Sequence, residues 1–159
     1  MIAWCNAVVA GAFCSWPEQE RKLVNIKRVV IHADGASRGN PGAAAIGVTI
    51  KDKKGKLITF ISQRIGRATN NQAEYRAIIA ALEEATKLGA KQVDIKTDSE
   101  LVVKQINGEY RIKKATLKPL YQQVKQLLGS LQGFTITHIP RQQNTEADNL
   151  ANKALNGYD

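Results

Sequence analysis

The amino-acid sequence predicts an α/β domain, one mixed β-sheet with helices on its faces, in the order βββ-α-β-α-α-β-α. Three observations lead there. Residues 28–63 carry three consecutive strand patterns punctuated by turn formers. From residue 68 onward, helical periodicity alternates with two further short strand patterns. The chain has 159 residues, 43% of them hydrophobic, enough for a single core that needs no covalent staples.

Each element can be justified in turn. "RVVIHAD" reads as a strand, and "DGASRGNPG" after it as a loop rich in turn formers. "AAAIGVTIKDKKGKLITFISQ" reads as two strands around a turn at Asp52 to Gly55, completing an antiparallel meander. In "ATNNQAEYRAIIAALEEATKLG", residues Ile78, Ala81, Leu82, Ala85 and Leu88 recur at helical spacing, with Arg76, Glu83, Glu84 and Lys87 on the opposite face. "QVDIKT" is a short strand, and "SELVVKQING" is a helix opened by Ser99 as N-cap and stopped at Gly108. A third helix starts near Thr116, tolerates Pro119 in its first turn, and aligns Leu120, Val124, Leu127, Leu128 and Leu131. The strand "GFTITHI" and the helix "TEADNLANKAL" close the chain. Helices following a meander and separating further strands imply a mixed sheet.

Residues 1–27 differ in texture and read as an appendage to a domain at 28–159. The apolar run at residues 2–14 has no basic start and falls short of the roughly 20 residues of a membrane span. A cytoplasmic protein with no membrane anchor is therefore expected, as a monomer. Cys5 and Cys14 do not make a disulfide framework. Twenty-three Lys and Arg against fourteen Asp and Glu give a net charge of +9, which favours a polyanionic partner.

Against that basic background, four carboxylates are out of place. Glu74 heads the apolar stripe of its helix, Asp34 and Asp98 end strands, and Asp148 shares a helical face with Ala151, Ala154 and Leu155. Singly, each reads as a cap or an ion pair. Together they would repel one another unless cations lie between them, and carboxylate oxygens select hard cations such as Mg²⁺ or Mn²⁺. With two histidines and no cysteine cluster, zinc is disfavoured. Two divalent ions about 4 Å apart can hold a phosphodiester for in-line attack by water, with no covalent nucleophile.

The blocks "DGASRGNPG", "TNNQAEY", "TDSELVVKQI" and "NTEADNLAN" together resemble the four signature blocks of type 1 ribonuclease H, in the same order across residues 28–156. The resemblance implies the ribonuclease H-like fold, a five-stranded mixed sheet flanked by helices, with Asp34, Glu74, Asp98 and Asp148 as catalytic metal ligands. It implies Mg²⁺-dependent cleavage of the RNA strand of RNA-DNA hybrids, with two ions per site, Mn²⁺ able to substitute, and 5′-phosphate and 3′-hydroxyl products. It also implies substrate contacts from Gly35, Ser37, Asn40, Asn70 and Asn71, and a pocket for a DNA phosphate at Arg67 and Thr69. An amide both donates and accepts, so it suits the 2′-hydroxyl that separates RNA from DNA.

Two departures from the family pattern stand out. Where many members carry a histidine before the last helix, "IPRQQNTEAD" offers Arg141, which stays protonated and can position phosphate or water but cannot shuttle a proton. His138 reads as a strand-end residue and His32 as a packed neighbour of Asp34. The long basic protrusion of some members is absent, although Arg111, Lys113, Lys114 and Lys118 keep that stretch basic and suit sequence-independent backbone contact. Competing readings are a nuclease of the same fold acting on DNA, as in integrases, transposases or exonucleases, a silent hybrid binder, and a detached reverse transcriptase domain. The ordered blocks and the asparagine pair argue against the first, and the full carboxylate set against the second.

Overall fold

The computed structural model describes residues 27–157. The expected appendage therefore lies almost wholly outside the described residues. Five strands form one sheet: β1 (Arg28–Gly39), β2 (Gly42–Asp52), β3 (Leu57–Ala68), β4 (Gln92–Thr97) and β5 (Gly133–His138). The helices are α1 (Asn70–Lys87), α2 (Glu100–Ile106), α3 (Lys118–Gly129) and α4 (Thr145–Leu155). The sheet order is β3-β2-β1-β4-β5. β1 pairs antiparallel with β2 and parallel with β4, so the sheet is mixed as the element order required.

Residues of β1 alternate between two environments, as a pleated strand must. Val29, Ile31 and Ala33 are fully buried beside Val93 and Ile95 of β4, under Tyr75, Ile78 and Leu82 of α1 and Val124 and Leu128 of α3. This is the principal core. On the other face α4 lies close against β1 and β2, with Ala154 and Leu155 packed on Ala45 and Ala36. Two glycines permit the closest approaches. A Cβ on Gly35 would lie 2.5 Å from the Glu74 nitrogen and from the Ala73 carbonyl oxygen, and one on Gly47 would lie 2.6 Å from the Ala151 nitrogen. Only hydrogen fits at either position.

The structure corrects the sequence reading at several boundaries. "DGASRGNPG" is not an open loop: β1 continues to Gly39, pairs with Gly42, and turns through Asn40 and Pro41 alone. Its residues read as turn formers, but ladder pairing to the alanine-rich start of β2 carries the strand on through Arg38, and Gly39 takes a positive φ (+126°) ahead of the turn. β3 likewise runs to Ala68 rather than ending near Gln63, with a register shift opposite Ala44 and Ala45 and left-handed backbone at Gly66 (φ +82°). The third helix begins at Lys118 and buries fully only Val124 and Leu128 of its apolar stripe. Ser99 caps α2, accepting from the Val102 N–H.

Candidate active site

Strand direction explains why the acids meet. β1 and β4 run parallel with Ala33 opposite Thr97, so the next residues, Asp34 within β1 and Asp98 just past the end of β4, come side by side near the middle of the sheet. Crevices at the carboxyl ends of parallel strands are where such sheets bind ligands. Glu74 comes from the second turn of α1, brought in by the close approach at Gly35, whose N–H donates to Glu74 Oε1 at 2.6 Å. One carboxylate oxygen from each of Asp34, Glu74 and Asp98 lies within 4.8 Å of the other two. Asp148, in the first turn of α4, is half-buried and outside that trio, but its side chain lies near enough to Asp34 to help raise the Asp34 carboxyl. Asp34 faces α4 because its register partner is Gly47, over which α4 passes.

The electrostatics follow from this crowding. Asp34 is 6% exposed. Burial first, and then the charge of Glu74, push its carboxyl far above the usual carboxylate range. Burial also raises Glu74, to about 7, against the lowering effect of the Gly35 N–H. Without compensating cations, such groups hold protons. An all-oxygen donor set of this density fits a hard divalent cation, and its raised affinity for protons is the cost that bound cations would remove.

Arg141 opens a 3-10 turn (Arg141–Gln143), with its guanidinium 3.6 Å from Asp148 Oδ1 and its side chain 76% exposed. His138 is exposed at the end of β5. His32 is half-buried opposite Thr49; burial, then Lys51 and Lys96, hold its imidazole below the ordinary value.

The remaining residues singled out in the sequence cluster at the start of α1. Thr69 is its N-cap and forms a capping box with Gln72: the Thr69 hydroxyl accepts from the Gln72 N–H while the Gln72 side chain accepts from the Thr69 N–H. The hydroxyl proton stays available to an anion. Asn40 Oδ1 accepts from the Asn70 N–H at 3.1 Å, tying the β1–β2 turn to the helix start. Ser37 Oγ donates to the Ala68 carbonyl at 2.8 Å and also contacts the Gly39 carbonyl, so Ser37 fastens β1 to the end of β3. Arg67 is exposed two residues before the cap. Asn71 borders a hollow of about 480 Å³ lined also by Gln105, Tyr110, Arg111, Lys113 and Lys114.

Sequence reasoning gave no role to Asn144. It stands inside the quoted block "NTEADNLAN", and its place before a helix suggests only a cap. The structure buries it against Ala33 and Asp98. Gly47 was equally silent, because a glycine in a strand does not announce which helix will cross it.

Residues 32–154 match the family described as reverse transcriptase-like. Ribonuclease HI of Halobacterium salinarum is 44% identical over 128 residues, which is 80% of this chain and 64% of that protein. The chain thus spans less than two thirds of that curated relative. The crystal structure of ribonuclease H1 from the same archaeon superposes with a TM-score of 0.81, covering 82% of this chain and 99% of that one at 44% identity. LC11-RNase H1, isolated from compost and solved in complex with an RNA/DNA hybrid, matches with a TM-score of 0.77 at 41% identity, covering 80% of this chain and 96% of that one.

Proposed function

Because the chain belongs to the reverse transcriptase-like family and, within it, to the type 1 ribonuclease H proteins, we propose that it is an endoribonuclease acting on the RNA strand of RNA-DNA hybrids, with 5′-phosphate and 3′-hydroxyl products. The observation that carries this reading is the trio of Asp34, Glu74 and Asp98, with ligand atoms within 4.8 Å of one another where β4 ends beside the middle of β1. Asp148 completes the set from the α4 side.

These four residues would hold Mg²⁺, two ions in the working site, with Mn²⁺ an acceptable substitute. Divalent cations there would lower the pKa of water and stabilise the departing 3′-oxygen. The chain's own residues supply everything else. Asn40 in the β1–β2 turn, and Asn70 and Asn71 one helical turn before Glu74, suit the 2′-hydroxyls and base edges of the RNA strand. Gly35 and Ser37 line the approach through backbone groups, since the Ser37 hydroxyl proton is already given to Ala68 or Gly39. Arg67 and the Thr69 hydroxyl, beside the N-terminus of α1, suit a phosphate of the DNA strand. Arg141, permanently charged, would orient the scissile phosphate or the attacking water.

The domain would comprise residues 28–159 and act as a monomer in the cytoplasm, with residues 1–27 an appendage. Among the described residues no helix is long and apolar enough to cross a membrane. The test is incubation of purified protein with labelled hybrid, DNA duplex and RNA duplex, each with Mg²⁺, Mn²⁺ or chelator. Cleavage of the RNA strand of the hybrid only with a divalent ion is expected; cleavage in chelator, or of the DNA duplex, overturns the reading.

A further inference from the structure

Asn144 is the N-cap of α4, a position asparagine favours because its side-chain oxygen can accept from the first free N–H groups of the helix. It makes no such bond. The residue is 1% exposed, and its side chain turns inward, where Nδ2 donates to the Ala33 carbonyl at 3.0 Å and lies 3.5 Å from Asp98 Oδ1. Ala33 immediately precedes Asp34. Asp148 lies one helical turn further on, and its N–H donates to the Asn144 carbonyl at 3.1 Å. A single residue therefore reaches three of the four carboxylates or their immediate backbone.

Asp98 needs such a hold. It lies one residue past Thr97, the last β4 residue paired with β1, so no ladder bond between those strands fixes its direction. Glu74, by contrast, is held by the Gly35 N–H. A lysine or arginine in place of Asn144 would also hold a carboxylate, but it would neutralise charge that divalent cations require. An amide donor orients the carboxylate without cancelling its charge.

We propose that Asn144 is a positioning residue, which aims the Asp98 carboxylate toward Asp34 and locks the start of α4 to β1, setting divalent-cation affinity and turnover. The proposal rests on the hydrolytic reading above. Serine is as well tolerated at an N-cap as asparagine but is too short to reach Asp98, so Asn144→Ser removes the amide contacts while leaving an acceptable helix start. The expected variant melts within a few degrees of wild type, and its kcat falls ten- to a hundredfold. Its half-saturating Mg²⁺ concentration rises at least fivefold, while KM for hybrid stays within twofold. Mn²⁺ affinity, measured by calorimetry without substrate, weakens by a similar factor. Should Asn144→Ser fail to fold, Asn144→Thr, closer in volume and also a cap, takes the same measurements. Wild-type kcat and Mn²⁺ affinity in a folded variant overturn the proposal. Wild-type protein that binds Mn²⁺ yet cleaves no hybrid overturns the functional reading instead, and the calorimetry then decides this proposal alone.

Discussion

Gly35→Ala tests whether the site depends on how closely α1 approaches β1. The added methyl would stand 2.5 Å from the Ala73 carbonyl oxygen and the Glu74 nitrogen. Those are backbone atoms in the second turn of a helix, so they cannot swing aside as the tip of a side chain could. Restoring ordinary contact requires the helix to retreat by about 1 Å, and overpacking of this kind costs about 1–3 kcal/mol. For a domain of this size that corresponds to a fall in Tm of roughly 4–12 °C. The retreat carries Glu74 away from Asp34 and weakens the 2.6 Å bond from the Gly35 N–H. A 1 Å misplacement at a reacting centre costs about a hundredfold in rate, so kcat on hybrid in saturating Mg²⁺ should fall by about that factor at a temperature where both proteins are folded. Gly47→Ala should act in parallel by displacing α4 and Asp148. Gly129→Ala, at the end of α3 with nothing within 4 Å of the new methyl, is the control and should leave both measurements unchanged. A Gly35→Ala protein with wild-type kcat and Tm would refute the argument.

Four further outcomes follow from the charges. A carboxyl whose pKa is higher in the folded than in the unfolded state contributes stability that is present below its unfolded value and lost as pH rises through the folded one; with Glu74 raised to about 7 and Asp34 raised further, Tm in chelator should decline from about pH 4 upward, Mg²⁺ should flatten the decline, and a flat profile in chelator would contradict the shifts. Asp34→Asn should stabilise the ion-free protein by roughly 1–3 kcal/mol at neutral pH, since one pKa unit is about 1.4 kcal/mol, while abolishing cleavage; a loss of Tm in chelator would remove Asp34 from the repulsive cluster. Arg141→Ala should slow turnover by tens to hundreds, as lost electrostatic assistance does, and a neutral result would make Arg141 an ordinary surface arginine. Replacing Arg111, Lys113 and Lys114 together by alanine should raise KM for hybrid and flatten its dependence on salt, by about 0.7–0.9 in log-log slope for each lost phosphate contact, leaving kcat at saturation unchanged; an unaltered slope would show that this exposed stretch does not touch the hybrid.

How far the sequence could be read depended on the range of the interaction. Helical stripes and the Ser99 cap are local signals, and the structure keeps them. The boundaries that moved were decided by pairing partners: Ser37 reads as a turn residue until β2 pairs with it through Ala44, and residues 64–68 read as lying past the third strand until β3 pairs with β2 as far as Gly42. The convergence of Asp34, Glu74 and Asp98 was legible because acids on apolar stripes and strand ends are anomalous one by one, and shared strand polarity then makes them neighbours. Asn144 was not legible. An asparagine before a helix is the ordinary cap, and only the fold reveals that its amide serves Ala33 and Asp98 instead. Ser37 shows the converse error, since a hydroxyl in a substrate-facing block looks free until Ala68 is found to accept its proton.

The contrast between a net charge of +9 and an acidic trio over the centre of the sheet has a physical logic. A polyanion attracted by the surface arginines and lysines must finally bring its phosphate against carboxylates of the same sign, which is unfavourable unless cations lie between them. The described structure places no lysine or arginine within the trio to fill that role. Arg141 stands at the rim, 3.6 Å from Asp148 and largely solvated. Buried repulsion at Asp34 and Glu74 is therefore left for divalent cations to relieve, whereas an internal salt bridge would relieve it permanently and lower the demand for them. The uncharged contacts, the Gly35 N–H on Glu74 and the Asn144 amide beside Asp98, orient the carboxylates without consuming their charge. On this view, Asn144→Lys should damage turnover more than Asn144→Ser, because a fixed positive charge beside Asp98 would compete with the divalent cations as well as remove the amide, so that Mn²⁺ affinity falls further in the lysine variant.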